Sequence, residues 1–570
     1  MEMVTITIDG QTVQAPKTAT VLEAARSVGV AVPTLCYHPE LRPEGACRVC
    51  MVEVEGARTL VASCVYPVNE GMVVRTNTAN VREARKTVVE LLLANHPPDC
   101  LSCQRNLNCE LQTIAGDLGI RKIRFDGERK HYPLDDTNPS LVRDQEKCIL
   151  CGRCIRACSE RQGVHVYSFV NRGFHTTVNP AFNLGLDKVA CTYCGQCAAV
   201  CPTAAIVEKD DTPAVWRAIN DPSKHVIVQT APSVRVALGE ALGMDHGKIV
   251  TGQMVASLRR LGFDRVFDTD FSADLTIMEE GHEFIDRLLN GGKLPMITSC
   301  SPGWVNFIEL FYPDLLDHLS TAKSPMQMFG ALVKTYYAEK AGINPDDIVS
   351  VAIMPCTAKK AEAAREEMGK DVDYVLTTRE LGTMIREAGI DFTNLPEEEF
   401  DAPLGISTGA GIIFGASGGV MEAALRTVAD VVTGESLPDF EYHGVRGLTG
   451  IKEAQITVAG KTVKVAVANT LGNARIMMEK VRKGEADYHF IEIMACPGGC
   501  IGGGGQPVPI SAEIRQKRID SIYESDISHE FRKSHDNPAI KELYDTWLGK
   551  PNGEKAHHLL HTHYHAQHKI

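Results

Sequence analysis

Cys148-Ile149-Leu150-Cys151-Gly152-Arg153-Cys154-Ile155-Arg156-Ala157-Cys158 is followed by Cys191-Thr192-Tyr193-Cys194-Gly195-Gln196-Cys197-Ala198-Ala199-Val200-Cys201-Pro202. Both runs space their thiols as C-x2-C-x2-C-x3-C, and proline closes the second. With this spacing a chain holds two [4Fe–4S] cubanes, each taking three cysteines from one run and the last from the other. The expected sets are Cys148, Cys151, Cys154 and Cys201 for one cubane, and Cys158, Cys191, Cys194 and Cys197 for the other. Zinc or disulfides are the alternative. Zinc takes four ligands rather than two interleaved sets, and its usual spacings lack the third x2 step. The chain is therefore expected to carry electrons, through a two-cluster module over residues 138–210.

At 570 residues the chain is too long for one core, so three or four domains are expected. No apolar run is long enough to span a membrane. The opening MEMVTITIDG lacks the basic and apolar regions of a secretory signal. Nineteen cysteines without such a signal point to metal ligation in a reducing cytoplasm, not to disulfides. A net charge of −13 argues against nucleic acid as a partner. The histidine-rich end (His557, His558, His561, His563, His565, His568) could bind metal, but a solvated tail is expected, because no cysteine or carboxylate cluster accompanies it.

Upstream, Val4–Ile8 alternates, Asp9-Gly10 turns, and Val21–Val28 has helical spacing after Thr20. Cys36, Cys47, Cys50 and Cys64 follow in loops. Four thiolates in a small β-rich domain over residues 1–80 suit a [2Fe–2S] cluster, with zinc the alternative, although the spacing is wider than the plant type. A helix around Val81–Asn95 leads to His96-x3-Cys100-x2-Cys103-x5-Cys109, in a second unit over 81–125. One His and three Cys could bind zinc. Their place between iron–sulfur units favours a [4Fe–4S] cluster, whose potential a neutral imidazole ligand should raise. Arg121, Lys122 and Arg124 are a candidate basic patch for an electron partner, with a solvated face as the alternative. Asp211–Pro222 reads as a linker.

From Lys224 the texture becomes α/β, with short apolar strands at Val226–Gln229, Val349–Ile353 and Lys464–Val467. The expected architecture is thus multidomain α+β and α/β, with a large α/β domain over 224–570. The last cysteines lie in irregular loops: Thr298-Ser299-Cys300-Ser301-Pro302-Gly303-Trp304, Met354-Pro355-Cys356-Thr357-Ala358-Lys359-Lys360, and Glu492-Ile493-Met494-Ala495-Cys496-Pro497-Gly498-Gly499-Cys500 running into Gly502–Pro507. Cys300, Cys356, Cys496 and Cys500 can assemble one more cubane. Glycines let backbone approach a bulky group. A phosphate loop would need a following Gly-Lys-Ser/Thr, which is missing.

These loops resemble the three active-site signatures of the [FeFe]-hydrogenases, TSC-x-P-x-W, MPC-x-x-K-x-x-E and E-x-MAC-x-x-GC-x-x-GGGQP. The order of the accessory units resembles the long clostridial-type enzyme, and residues 1–80 resemble the N-terminal domain of complex I's large iron–sulfur subunit. The resemblance implies an H-cluster, a [4Fe–4S] cubane joined through Cys500 to a diiron unit bearing CO, cyanide and azadithiolate. It implies Lys359 as donor to a cyanide, Met354 and Met494 as thioethers beside the diiron unit, Ala231, Pro232 and Ser233 near the other cyanide, and Phe414 as the aromatic facing the cluster. Glu280, Ser320 and Glu283 are the implied proton relay, although Glu280, Glu283 and Arg287 would otherwise read as a solvated helix face.

Most relatives carry Cys-Cys where this chain has Cys300-Ser301, a form that resembles the multi-subunit NAD(P)H-linked subgroup. Two arrangements are open. Cys300 turns inward as a cubane ligand and Ser301 handles the proton, or Cys300 keeps the proton role and Ser301 ligates. The first keeps an all-thiolate cubane and is preferred on that count. The implied function is reversible reduction of protons to H2, with electrons exchanged with ferredoxin. An alternative is the catalytic subunit of a multi-subunit NAD(P)H-linked, bifurcating hydrogenase. The chain has no Rossmann fingerprint or flavin motif, so NAD(P)H would need flavin-containing partner subunits. A non-catalytic sensor or iron–sulfur assembly protein is the remaining class.

Overall fold

Alternation of Val4, Ile6 and Ile8 onto one buried face begins the first unit of the computed structural model, which describes residues 2–438, 440–458 and 461–569. The hairpin Met3–Ile8 with Gln11–Pro16 turns at Asp9-Gly10, both at positive φ. Thr20 and Glu23 form a reciprocal capping box that starts the helix Val21–Ser27. The five-stranded sheet runs Gln11–Pro16, Met3–Ile8, Val73–Arg75, Met51–Val54, Val61–Ala62, with the second and third strands parallel. Thr78 caps the next helix, Ala79–Asn95, which stops at His96.

In the two-cluster module each cysteine run winds into a short helix, Arg153–Arg156 or Gln196–Val200. Each starts from a left-handed glycine, Gly152 or Gly195, both at φ 69. The strands Leu141–Arg143 and Ile206–Glu208 close the module as an antiparallel pair. The expected linker after it is instead a helix, Thr212–Ile219. Pro213 suits the first helical turn, and Thr212 and Val215 are buried, so the segment packs rather than spans.

The remainder is built on two four-stranded sheets. One is wholly parallel, in the order Arg265–Asp268, His225–Thr230, Ile348–Met354, Tyr374–Thr377. The other runs Met296–Ile297, Phe490–Met494, Lys461–Asn469, Ile451–Val458, with only the last pair antiparallel. Parallel strands covered on both faces explain why these segments read as unbroken apolar runs. The long helix Thr269–Asn290 starts from Asp268, whose side chain caps it, and extends past both ends of the Ala273–Leu289 expectation. Among the described residues no helix is long and apolar enough to cross a membrane.

The histidine-rich end keeps His557, His558, His563, His565 and His568 exposed, as expected, but it packs on the body through His561. His561 is buried and bridges backbone to Ala322, Thr562 N–H donates to Thr321 O, and Gln567 binds Glu309. Buried carboxylates at Glu279 and Glu309 give this segment polar partners, which composition could not reveal.

Candidate active site and metal centres

Four strands stop at one place. Thr230 leads to Ala231-Pro232-Ser233, Ile297 to Thr298–Cys300, Met354 to Pro355-Cys356, and Met494 to Ala495-Cys496. All are carboxyl ends of strands, where α/β sheets place their sites. They surround a cavity lined by Pro232, Cys300, Ser301, Met354, Cys356, Lys359, Phe414, Met494, Cys496 and Cys500. Ser233 lies behind this wall, fully buried, its carbonyl and hydroxyl accepting from Gln506 Nε2 at 3.1 and 3.3 Å. Gln506 had no assigned role in the sequence reading, although it is the glutamine of the GGGQP end.

The cavity suits a bulky metal group. Burial pushes the Cys356 thiol up to about 11 and Cys500 to about 12, and raises Cys300 and Cys496 well above a free thiol. Thiols so placed need a metal to become thiolates. Lys359 supplies the cavity's cation. Its ammonium donates to Glu362 Oε2 at 2.7 Å, Ser324 Oγ at 2.8 Å and Cys300 O at 3.2 Å.

Cys300 and Ser301 face different neighbours. After burial, Glu280 raises the Cys300 thiol most, then Cys500, while Lys359 opposes them. Cys496 is raised, after burial, by Cys356, Cys194 and Cys500. Ser301 starts the helix Pro302–Phe311 but does not cap it with its side chain; Ser301 Oγ accepts from the Ala495 N–H at 3.2 Å, next to Cys496.

The three implied relay residues are together, outside the cavity wall. Ser320 Oγ donates to Glu283 Oε2 at 2.8 Å, and Arg287 holds Glu283 Oε1 at 2.5 Å. Glu280 is buried rather than solvated. Burial, then the charge of Glu283, raises its carboxyl to about 8, and its Oε2 has no hydrogen-bond partner.

The accessory thiols group as follows. Cys148, Cys151, Cys154 and Cys201 line one cavity. Cys197 is raised, after burial, by Cys194, Cys191 and Cys158. Backbone N–H groups aim at sulfur in both sets, Leu150 at Cys148 (3.5 Å) and Val166 at Cys158 (3.3 Å). In the first unit Cys36 and Cys47 exchange N–H···S contacts of 3.4 and 3.5 Å, with Cys50 and Cys64 close by and buried. At His96, Nδ1 lies 3.0 Å from Pro97 O, which fixes the tautomer with a free Nε2, and that buried nitrogen has no partner. An orphaned imidazole nitrogen of this kind fits a metal group.

These units interlock. Arg153 donates to Tyr37 O at 2.8 Å and to both Glu110 oxygens at 2.6 and 2.8 Å; Arg156 donates to Cys36 O at 2.7 Å and Cys151 O at 3.2 Å. Glu110 N–H donates to Pro202 O. The first unit and the His96 unit therefore both abut the Cys148 set. The Cys158 set instead meets the active site, where Cys194 shares the cavity wall with Cys496. Gln196 donates to Gly502 O at 3.0 Å and Gln162 to Ala495 O at 3.0 Å. A Cβ on Gly195 would meet Thr357 Oγ1 at 2.3 Å, and one on Gly504 would meet Cys194 O at 2.5 Å and Gly195 Cα at 2.8 Å. The glycine run therefore admits the neighbouring backbone of the two-cluster module, a closeness that the sequence reading assigned to the metal group alone.

Comparison with known proteins agrees with this arrangement. Residues 224–504 match the iron only hydrogenase large subunit, C-terminal domain, and 512–567 the iron hydrogenase small subunit. Residues 1–79 match a 2Fe-2S iron-sulfur cluster binding domain, 85–124 the NADH-ubiquinone oxidoreductase-G iron-sulfur binding region, and 147–205 a 4Fe-4S dicluster domain. The chain is 52% identical to the NADP-reducing hydrogenase subunit HndD of Solidesulfovibrio fructosivorans, over the whole of both. It is 42% identical to iron hydrogenase 1 of Clostridium pasteurianum, over 99% of this chain and all of that one. A solved structure of [FeFe]-hydrogenase HydA1 from Chlamydomonas reinhardtii, a single-residue variant, superposes with TM-score 0.57 at 47% identity, covering 63% of this chain and 99% of that one. The chain belongs to the iron-only, or [FeFe], hydrogenases. It catalyses the reversible interconversion of H2 with protons and electrons, and iron–sulfur centres relay the electrons.

Proposed function

We propose that this chain is the hydrogen-converting subunit of a multi-subunit, NADP-linked hydrogenase of the cytoplasm. The observation that carries this is the end-to-end likeness to a subunit of an NADP-reducing hydrogenase at 52% identity, against 42% for iron hydrogenase 1. With no nucleotide motif of its own, the chain would exchange electrons with nicotinamide through flavin-containing partners. Leu101 and Leu107, 92% and 90% exposed on either side of Cys103, suit coverage by such a partner. Anoxic purification from the native cell tests this. Co-purification of flavin-containing subunits, with H2-dependent NADP reduction lost on their removal, is the expected result. Efficient, salt-sensitive turnover with ferredoxin by the isolated chain would sink it.

Cys36, Cys47, Cys50 and Cys64 would hold one [2Fe–2S] cluster; His96, Cys100, Cys103 and Cys109, and the two interleaved sets, would hold three [4Fe–4S] clusters. Cys356, Cys496 and Cys500 would hold the cubane of an H-cluster in the central cavity, with Cys500 bridging to its diiron part. When bound, that group supplies the chemistry that joins two protons and two electrons into H2 and reverses it. Lys359, fixed by Glu362 and Ser324, offers a cationic donor at the cavity wall. Met354, Met494, Pro232 and Phe414 give the cavity an apolar lining. Contrary to the preferred expectation of Cys300 as a ligand, the charge of Glu280 felt at Cys300 supports it as the thiol that passes protons, and the Ser301 bond to Ala495 N–H, next to Cys496, supports Ser301 on the cubane side. Glu280, neutral up to about pH 8, can accept or release a proton there, and the Ser320 hydroxyl links onward to Glu283.

A further inference from the structure

The relay residue Glu283 is gripped by a group that cannot exchange its proton. Arg287 is bound to Glu283 and to the carbonyls of Lys293, Asp317, His318 and Leu319, and a guanidinium keeps its proton in proteins. Glu283 is itself only partly exposed, so a titratable group at the surface beside it would speed its exchange with water. The C-terminal segment supplies one. Its bridge to Ala322 lays His561 next to Thr321, whose N–H donates to Glu283 Oε2 at 3.1 Å. His561 is clamped on both ring nitrogens, Nε2 by Glu279 Oε2 at 3.0 Å and Nδ1 by Thr321 Oγ1 at 2.8 Å. Glu279 is itself fixed by the Tyr544 hydroxyl and by Asn552 N–H at 2.8 Å. On the clamped ring stacks a second imidazole, His557, with centroids 4.6 Å apart and planes 8° from parallel. His557 is exposed to solvent.

We propose that His557 is the solvent-side proton exchanger of the relay ending at Glu283, and that His561 is the residue that positions it. This rests on the reading of Glu280, Ser320 and Glu283 as the relay. During H2 production a proton from water binds the free nitrogen of neutral His557. The imidazolium gives it to ionised Glu283, which becomes the acid, and His557 returns to neutral; H2 oxidation runs the same step backward. An imidazole suits the task because it gains and loses its proton near neutral pH. The charged or titratable groups facing His557 are His561 and His563 from its own segment and Glu279 and Glu283 from the long helix. Burial and the two neighbouring imidazoles ease loss of its proton, and the two carboxylates favour its capture.

The test uses the matured full-length enzyme. His557→Ala should lower H2 turnover at neutral pH by roughly tenfold or more, flatten the limb of the pH profile between about pH 6 and 7, and raise the solvent deuterium effect. Added imidazole should restore the rate. His558→Ala, one residue along on the exposed surface, should behave as wild type. A readout independent of turnover is the NMR titration of His557 in the oxidised protein, whose midpoint should fall in Glu283→Gln because a neighbouring negative charge is gone. Wild-type turnover and pH profile in His557→Ala, or a loss that imidazole does not restore, would overturn the proposal. If Glu283→Gln is silenced while His557→Ala is not, only this inference fails; if Glu283→Gln turns over normally, the relay reading itself fails.

Discussion

Lys359 Nζ and Glu362 Oε2 lie 2.7 Å apart across one turn of the helix Ala358–Ala363. Spacing by three residues brings side chains onto one helix face, which is why the second loop signature carries its lysine and glutamate at that interval. Glu362→Gln removes the partner of a buried ammonium and with it about 1.5–3 kcal/mol of charge-assisted bonding. Iron content should hold, the cyanide bands of the matured enzyme should shift in the infrared, and turnover should fall about tenfold, the equivalent of about 1.4 kcal/mol.

Glu280 gives a pH prediction with a definite sign. Its folded carboxyl titrates at about 8 against 4.5 unfolded. Between those values the folded state holds a proton that the unfolded state has lost, so this group makes stability fall as pH rises through that window. Glu280→Gln should be more stable than wild type by a margin that grows from pH 5 to pH 8 and levels off above, reaching on the order of a few kcal/mol. H2 turnover should be nearly abolished. A denaturation midpoint that moves equally at pH 5 and pH 9 would contradict it.

Cys300→Ala separates the two readings of the Cys300-Ser301 pair. If Cys300 passes protons, the variant keeps the CO and cyanide infrared bands and the cubane EPR signal but loses most turnover. Ser301→Cys should then remain active, with a shifted cubane potential. Loss of the cubane from Cys300→Ala would instead make Cys300 a ligand.

His96 offers its Nε2 with no competing partner. His96→Cys should retain a cluster at lower potential, because a thiolate adds negative charge where a neutral imidazole stood, and His96→Ala should change or remove one cubane signal. Potentiometric EPR reads both. Stoichiometric zinc in the wild-type protein would refute the cubane.

Much of this was legible because metal ligation and parallel strands both leave short-range marks. The cysteine spacings are local patterns, and so are the turn at Asp9-Gly10 and the apolar strands around Val226, Val349 and Lys464, which lie where expected. What escaped was long-range. Glu280 carries the same charge in sequence whether buried or solvated, and the packing of Thr269–Asn290 buries it. His561 looked like part of a soluble tail because Glu279, its partner, lies 282 residues away. Asp211–Pro222 reads as a linker, yet Pro213 suits a first helical turn and Val215 is buried, so the segment packs as a helix. Gln506, Ser324 and Gln196 hold the site's loops through bonds to segments far off in sequence, which no spacing could announce.

Gly195 and Gly504 face each other where the two-cluster module meets the active-site loops, and a Cβ on either would strike the opposite segment. Electron tunnelling weakens exponentially with the gap to be crossed. Two side chains reduced to hydrogen thus let Cys194 and Cys496 share one wall, and a single added methyl group at that seam would slow the current into the site while leaving every ligand, donor and acid in place.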